Sequence, residues 1–340
     1  MSLPSWLAKR LGEAVIVLIG LSIVLFCITR ILPGDPARIA LGPRVDEAAI
    51  QALRKQMNLD KPLITQYFLW MKGLLTGDLG ISLLSRRPVV TDIKEYFPST
   101  LEMIILAVIV QFVGGLGLGL LSAKYVDTWL DGIVRIFAYL GIATPAFVWG
   151  ILLILIFGYW LPILPISGRL TEGLVPPAHI TGMYTWDSLL HGQLGLFWDS
   201  LKHLILPGFA LAMGVMAQAA RIFRSSIVDD MEADHVYAMR AYGVPENRIL
   251  TKYLGRLALI PAISVMSLDA GSQFANAFIV ESVFNFPGLS RLGMQAILNK
   301  DLNAMGGILM LIGGIFVLII ILSDVIVAYL DPRTRLQQSG

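Results

Sequence analysis

The sequence predicts an all-α membrane protein with six spans, on the evidence of its composition and its segmentation. Hydrophobic residues make up 56% of the 340 residues and charged residues only 15%, with a mean hydropathy of +0.72. Apolar runs of roughly 20 residues, the length that crosses the hydrocarbon layer, recur along the chain, and none shows the alternation of a barrel strand. The predicted spans are 10–31, 101–123, 133–160, 203–222, 257–280 and 305–330.

The first apolar run follows Lys9 and Arg10, as the apolar part of a signal peptide would. We predict that it is retained as a span, because it extends to about Ile31 and lacks a small-residue cleavage pattern. The single cysteine, Cys27, lies inside this run. One cysteine excludes an internal disulfide and a cysteine-based metal cluster.

The basic residues between spans predict the orientation. The 161–202 and 281–304 connections carry two basic residues each, whereas the 221–256 connection carries six. Positive charge concentrates on the cytoplasmic side of membrane proteins. We therefore predict that both termini, the 124–132 loop and the 221–256 connection are cytoplasmic. The six residues are Arg221, Arg224, Arg240, Arg248, Lys252 and Arg256.

The long segment 32–100 lies between the first two spans and is predicted to face the outside. Asp46 is a candidate N-cap, and apolar residues then recur at helical spacing, which predicts an amphipathic helix near the outer surface. The alternative is a helix that only packs over the bundle. The apolar positions are Ala49, Ile50, Leu53 and Met57.

Four glycines of the second span indicate a packing face. Gly115 and Gly119 are four residues apart, a spacing that permits close helix approach, with Gly114 and Gly117 beside them. These glycines lack the Gly-Lys-Ser/Thr ending of a phosphate-binding loop, and the sequence contains no Walker signature. We therefore expect that the chain does not hydrolyse ATP itself.

Polar residues inside the predicted spans are candidates for a translocation pathway, because such groups are costly in lipid. Asp269, Gln273 and Asn276 follow an i, i+4, i+7 spacing and share one face of the fifth span. Gln111 and Glu281 complete the candidate set. The alternative is hydrogen bonding between helices without substrate contact. The four histidines show no metal-ligand spacing, so we predict no metal site and no catalytic residue.

The stretch "EADHVYAMRAYGVPENRIL", residues 232–250, is a polar interruption between two apolar runs. Residues 228–242 favour helix, and Gly243 is a candidate C-terminal cap because glycine is common at that position. Pro245 and Glu246 are typical of the first turn of a second helix. The pattern predicts a helix–turn–helix elbow over 228–256 that protrudes into the cytoplasm and resembles a docking surface.

At this elbow the sequence resembles the inner-membrane permease subunits of binding-protein-dependent ABC importers, specifically the B-type subunit of the dipeptide, oligopeptide and nickel group. Arg240-Ala241-Tyr242-Gly243 matches the Arg/Lys-Ala-x-Gly ending of the peptide-permease coupling motif. The family's Glu-Ala-Ala core falls on Tyr237-Ala238-Met239, so its acidic residue is absent, and Glu232-Ala233 stands at the wrong distance from the glycine.

The resemblance extends along essentially the whole chain, and the ordered set of motifs is highly specific although each motif alone is weak. The motifs are Leu32-Pro33-Gly34-Asp35-Pro36, Asn58-Leu59-Asp60-Lys61-Pro62-Leu63, Gly77-Asp78-Leu79-Gly80-Ile81-Ser82, Pro98-Ser99-Thr100-Leu101-Glu102, Pro165-Ile166-Ser167-Gly168, His203-Leu204-Ile205-Leu206-Pro207, Glu281-Ser282-Val283-Phe284, Phe286-Pro287-Gly288-Leu289 and Asp331-Pro332-Arg333.

The resemblance implies the fold of a type I ABC importer permease in a bacterial or archaeal cytoplasmic membrane. It implies four protein partners: a second homologous permease of C-type, two ATP-binding subunits and a periplasmic or extracellular substrate-binding protein. The chain also contacts membrane lipid, and no nucleic-acid partner is expected. It implies no cofactor on this chain, since the ATPases use the ATP and Mg. The coupling candidates are Arg240, Ala241, Gly243, Pro245 and Glu246.

The predicted organisation is an N-terminal span (1–31), an outer segment (32–100), a five-span core (101–330) and a cytoplasmic tail (331–340). The core includes an outer insertion at 161–202, which resembles the dipeptide-type subunit more than its nickel and glutathione relatives. We expect import of di- or oligopeptides. Nickel, glutathione or oligosaccharide remain alternatives within the same architecture, and a stand-alone channel or secondary transporter is the alternative from another class.

Overall fold

The computed structural model describes residues 3–31, 37–38 and 45–330. The helices of these residues are α1 (Leu3–Ile31), α2 (Glu47–Gln56), α3 (Leu63–Thr76), α4 (Val89–Lys124), α5 (Trp129–Ala143), α6 (Ala146–Ile154), α7 (Tyr184–Leu190), α8 (Leu194–Asp230), α9 (Asp234–Ala241), α10 (Gly255–Val283), α11 (Leu289–Leu298) and α12 (Leu302–Leu330). A π-helix follows α6 at Leu155–Trp160, and a helical turn (Glu246–Arg248) with a second π-helix (Ile249–Leu254) leads into α10.

The all-α prediction is confirmed, because the described residues contain no strand and only an isolated bridge between Ile81 and Pro88. The motif at 32–36 and the tail at 331–340 lie outside the described residues. In the amphipathic segment, α2 begins at Glu47, directly after the candidate N-cap Asp46, and its Ile50 side chain is buried.

Five described helical stretches are long and apolar enough to cross a membrane, and the total is six when a bent pair of helices is counted as one span. That pair, α5 and α6, corrects the third predicted span: 133–160 is not one straight helix but bends by 111°. Thr144 has the extended values φ −100° and ψ 122°. The break falls there because a residue before proline, here Pro145, is disfavoured in the helical conformation.

Two other helices begin earlier than their predicted spans. α4 begins at Val89, so the predicted boundary at residue 100 falls within a continuous helix. α8 begins at Leu194, so the predicted insertion 161–202 holds α7 and the first turns of α8.

The chain divides into two compact units, of which the larger comprises 99–286 and 318–330 among the described residues. α8 is its central helix and packs against α5, α6, α7 and α10. Its apolar stretch is 67% buried, whereas the other four long stretches are 17–39% buried. This burial identifies α8 as the element around which the larger unit is built.

The glycine face of α4 packs on α8, as the sequence predicts. A Cβ added to Gly115 would lie 2.7 Å from the Ala219 Cβ, and one added to Gly119 would lie 2.7 Å from the Ala220 carbonyl oxygen. Only glycine permits this approach of the two backbones. Gly117 faces open space and has no part in the contact.

The smaller unit comprises the described parts of 3–98 together with 287–317. The Ser82 hydroxyl donates to Asp301 Oδ2 (2.6 Å), which also accepts from the Leu84 amide (3.1 Å). These bonds fix the 80–88 turn on the start of α12. The buried core of this unit is formed by Val89, Leu289, Leu292, Ala296, Leu302, Ala304, Met305 and Ile308.

Candidate functional site

The elbow is shaped by a helix cap at Gly243. α9 ends at Ala241, and Gly243 adopts the left-handed conformation with φ +75°. The Val244 amide donates to the Met239 carbonyl (3.0 Å) and the Gly243 amide to the Arg240 carbonyl (2.9 Å). These two bonds form a Schellman motif, so the glycine cap predicted from the sequence is present.

The helix before this cap is shorter than the sequence predicts. The predicted helix over 228–242 is interrupted, because α8 ends at Asp230 and α9 begins at Asp234. The Ala233 residue between them is extended, with ψ 145°. The interruption separates α9 from the long helix α8, so α9 is a distinct short helix of the elbow.

An ion pair ties the two limbs of the elbow together. Arg240 donates through Nη2 to Glu246 Oε1 (2.7 Å) and through Nε to Glu246 Oε2 (3.1 Å). The hydrogen bond to Glu246 raises the pKa of Arg240 above its ordinary value. Both side chains are exposed, so the pair contributes about 0–1 kcal/mol to stability and serves mainly to orient Pro245 and the turn that follows it.

The underside of the elbow is apolar and anchored. Val236 of α9 is fully buried in a cluster with Ile227 of α8 and Ile249 and Leu254 of the π-helix. Met239 and Val244, the two residues joined by the Schellman bond, pack against the same cluster. The burial of these side chains fixes α9 on the ends of α8 and α10.

The exposed surface of the elbow carries two aromatic residues, one on α9 and one directly after its last residue. Tyr237 is 55% exposed and Tyr242 is 88% exposed. Ala238 and Ala241 between them are also exposed. Aromatic side chains are enriched at protein–protein interfaces. This surface has the composition of a contact surface for another protein, and Tyr237 was not among the coupling residues predicted from the sequence.

The elbow continues into the membrane helix without a break. The helical path from Glu246 to Val283 includes the π-helix and α10 as one stretch of 38 residues. The second limb of the elbow and α10 thus form one helical element.

Two of the five pathway candidates bind each other. Gln273 of α10 donates through Nε2 to Gln111 Oε1 on α4 (2.9 Å), and Gln111 Nε2 donates to the Met266 carbonyl (3.2 Å). Both glutamines are completely buried. Gln111 and Gln273 therefore form the hydrogen bond between helices that was the alternative to a role in the pathway.

Asp269 and Asn276 have different surroundings. Asn276 is exposed, while Asp269 is half-buried. Two buried oxygens, Asp269 Oδ2 and Gln273 Oε1, accept no hydrogen bond from the described residues. These two oxygens lie inside the chain, so Asn276 is the residue of this set that is open to a polar group from outside it.

Glu281, the last pathway candidate, is buried at the other end of α10. It accepts a hydrogen bond from the Thr100 hydroxyl on α4. Thr100 and Glu281 belong to two of the motifs that carry the family resemblance, and the structure brings them together.

A buried ion pair that the sequence did not predict holds the 161–193 region. Arg169 donates to Glu102 Oε2 (2.9 Å), while Glu102 Oε1 accepts from the Thr185 amide (2.6 Å). Arg169 also lies over the Tyr184 ring, with 3.5 Å to its centroid. Glu102 was noticeable as a carboxylate in an apolar run, but its partner is 67 residues away. Glu102 thus positions the loop before α8.

A second carboxylate orders the same loop. Asp187 accepts hydrogen bonds from the amides of Ile180 (3.2 Å), Thr181 (2.8 Å) and Gly182 (2.9 Å). Burial opposes ionisation of this carboxylate, but the Thr181 and other hydrogen bonds outweigh it and hold the pKa of Asp187 below its ordinary value.

The helical spans, the anchored elbow and its exposed aromatic residues define the class of the protein as a polytopic membrane protein with a surface suited to a protein partner. Comparison with known families agrees with this class. A family described as the binding-protein-dependent transport system inner membrane component matches residues 115–336, and the N-terminal part of such membrane components matches residues 3–104. The chain belongs to this family.

Related proteins match over nearly their whole length. The chain is 37% identical to the probable D,D-dipeptide transport system permease protein of Escherichia coli, over 98% of each chain. It is 35% identical to the dipeptide transport system permease protein of Alkalihalophilus pseudofirmus, over 96% of this chain and 98% of the relative. It is 33% identical to a glutathione transport system permease protein of Escherichia coli, over 97% and 99%.

Family membership establishes the general role of the chain. It is a multi-pass inner-membrane permease subunit of an ATP-driven ABC importer, with the type I permease fold. It is not an enzyme, because ATP hydrolysis is carried out by partner subunits. A binding-protein-dependent system also implies a substrate-binding partner.

Proposed function

We propose that this chain is the B-type permease of an importer for di- or oligopeptides. Two relatives named as dipeptide-class permeases support this substrate class. The observation that carries the proposed coupling is the elbow, in which Gly243 and the Arg240–Glu246 pair hold an exposed aromatic face on an apolar base.

The proposed assembly has this chain beside a second, C-type permease, with two ATP-binding subunits and a periplasmic or extracellular binding protein. Both termini and the elbow lie in the cytoplasm, in agreement with the six basic residues of the 221–256 connection. The segment 32–100 faces the outside. ATP and Mg are bound by the ATPases, and this chain binds no cofactor of its own.

In the proposed mechanism the ATPase contacts Tyr237, Tyr242 and the Ala241 backbone between them. ATP-driven closure moves α9 together with the start of α10, because Val236 is buried against both neighbouring helices. The continuous helix transmits this motion to Gln273. The permease is thus a two-state element biased by nucleotide at one end and by the loaded binding protein at the other.

The proposed pathway lies along the α10 face that carries Asp269 and Asn276. An exposed amide within an apolar span is unfavourable toward lipid, so we place Asn276 toward the second permease or an aqueous passage. The exposed Asn276 amide gives polar groups of a peptide a hydrogen-bond donor and acceptor, and the buried oxygens of Asp269 and Gln273 become accessible when α10 moves in the change of state. Gln111 and Glu281 support this face from behind, through their bonds to α10 and α4 respectively.

Reconstitution tests the substrate class. The permease is purified with its ATPases and second permease, incorporated into liposomes, and supplied with the binding protein and labelled dipeptides, longer peptides or nickel. We expect ATP-dependent uptake of dipeptides. Robust uptake of another solute with no uptake of any peptide contradicts the proposal.

Glutathione is the second candidate, since one relative is named as a glutathione permease. Glutathione is itself a tripeptide, so a competition assay tests whether it is a substrate. An excess of unlabelled glutathione abolishes uptake of labelled dipeptides only if glutathione passes through the same transporter. Uptake that requires no ATPase would instead favour the stand-alone transporter, a reading that family membership does not support.

A further inference from the structure

A cavity with an excess of positive charge lies in the larger unit, where the end of α4, the middle of α5 and the last third of α8 meet. Its volume is about 230 Å³, below the roughly 300–1,000 Å³ of sites for drug-sized ligands. It therefore suits a small group. The polar residues that line this arginine cavity are Ser122, Arg135, Tyr139, Arg221, Arg224 and Ser225.

One arginine of the cavity is already neutralised. Arg224 donates through Nε and Nη2 to the two oxygens of Asp131, at 2.7 Å each. Asp131 is completely buried and also accepts from the Ser122 hydroxyl (2.5 Å). The bidentate geometry makes this the strong ion pair of the cavity, and it fixes α5 on α8.

The other two arginines keep their hydrogen-bonding capacity. Arg135 forms a longer ion pair with the same carboxylate, with 3.6 Å from its Nε to Asp131 Oδ2, which is beyond hydrogen-bond distance. Arg221 lines the cavity and is exposed. The adjacent loop adds Lys124 and Asp127, whose charges offset each other. The cavity thus has two guanidinium groups available for an anion.

The surroundings of the cavity indicate the source of that anion. On α5, Ile136 is 61% exposed, Tyr139 65% and Leu140 56%. This apolar surface belongs to a membrane helix, so it suits contact with acyl chains beside the cavity. A basic cavity between helices at the cytoplasmic side is a recognised arrangement for binding lipid headgroups.

We propose that the arginine cavity binds the phosphate group of an anionic lipid. Arg135 and Arg221 donate to the phosphate oxygens, while Arg224 remains with Asp131 and holds the two helices in register. The acyl chains lie along the exposed face of α5. The site is separate from the elbow and from the α10 face of the proposed pathway.

Lipid retention tests the proposal in the assembled transporter. The complex is purified from nanodiscs that contain phosphatidylglycerol and phosphatidylcholine, and retained lipid is measured by native mass spectrometry. We expect selective retention of phosphatidylglycerol, weakened about fivefold by each of Arg135→Gln and Arg221→Gln. Both residues are exposed, so these variants leave the Asp131–Arg224 pair and the fold intact.

Arg248→Gln is the charge-matched control, because Arg248 is exposed on the elbow and outside the cavity; it should keep wild-type retention. Equal retention by the double variant Arg135→Gln, Arg221→Gln and the wild type would overturn the proposal. Displacement of the lipid by millimolar inorganic phosphate would assign the site to a free anion instead. This readout does not depend on transport, so it succeeds or fails independently of the peptide proposal.

Discussion

Gly243 is required for its backbone conformation and not for space. A Cβ at this position would meet no atom within 4 Å, yet φ is +75°. An L-residue with a Cβ costs roughly 1–2 kcal/mol in the left-handed conformation. The Schellman bonds that place Val244 beside Met239 depend on that conformation. A substitution here therefore acts on the shape of the elbow alone.

Gly243→Val is expected to uncouple ATP hydrolysis from uptake. The strain shifts the balance away from the capped elbow by roughly 5- to 30-fold, and peptide uptake per ATP hydrolysed falls with it. Parallel measurement of uptake and phosphate release in proteoliposomes checks this expectation. Undiminished transport by the variant would contradict the coupling role of the cap.

Two variants control for strain and for the glycine itself. Gly243→Asn should retain most coupling, because asparagine tolerates the left-handed conformation. Gly192→Val introduces the same kind of strain at a position with φ +68° and no neighbouring atom within 4 Å, outside the elbow. It should leave uptake per ATP unchanged.

At the residue scale, local chemistry was predictable and long-range pairing was not. Gly243 was identified as a cap because turn preferences depend on neighbouring residues. Glu102 was recognised as the last residue of a family motif, but its bond to Arg169 depends on how two distant segments pack. Nothing in the spacing of charges along the chain encodes that partner.

At the element scale, the Gln111–Gln273 bond joins α4 to α10 in the larger unit. Replacing one glutamine by leucine leaves a polar atom of the other buried amide without its partner, which should destabilise the protein by about 1–3 kcal/mol. The double variant Gln111→Leu, Gln273→Leu should be more stable than either single variant. Thermal unfolding of all four proteins in one detergent measures this coupling.

The same variants separate packing from transport. If the pair serves only packing, the double variant transports at the wild-type rate. Our pathway proposal for Gln273 predicts that transport stays low in the double variant even where stability recovers. Recovery of both together would remove Gln273 from the pathway.

The Asp187 loop should loosen in acid. The pKa of Asp187 is lowered in the folded protein, so its stabilising contribution is present above the ordinary value of 3.8 and is lost as the pH falls through the lower folded value. Hydrogen exchange of the 178–187 peptide, corrected for intrinsic rates, should show full protection near neutral pH and loss below pH 3.8.

Asp187→Asn is the control for this titration. It should show weaker protection of the Ile180 and Thr181 amides at every pH, without an acid step. Equal protection of the wild-type loop at about pH 3 and at neutral pH would contradict the assignment of the order to the carboxylate.

Hydropathy located the membrane helices because the apolar content of a run is a local property. It missed the bend at Thr144–Pro145, since a window of roughly 20 residues averages over two residues of unusual conformation. It also placed the start of α8 too late, because Asp199, Lys202 and His203 interrupt the apolar pattern within the first turns of that helix, which begins at Leu194.

At the scale of the whole molecule, the elbow, α10 and α8 provide a continuous route from the proposed ATPase contact to the proposed pathway. The elbow is anchored on α8 through Val236 and Ile227, and it is continuous with α10. α8 is the most buried of the long helices. A central fixed helix beside a helix that extends into a docking element suits a subunit that changes state as a unit.

The state change should alter access to Asn276. We expect a cysteine placed at Asn276, in a Cys27→Ala background, to react with a membrane-impermeant maleimide from outside faster in the ATP-bound, closed-ATPase state than without nucleotide. The reason is that outward opening exposes the α10 face to water. Cys27 must be removed because it is itself exposed.

Ile109→Cys is the matched control: Ile109 is 53% exposed on an apolar span and should remain unreactive in both states. Equal labelling of the Asn276→Cys variant with and without ATP, in a complex that still hydrolyses ATP, would show that this face is not part of an alternating pathway, because a passage between two sides must change its accessibility with the state of the ATPases.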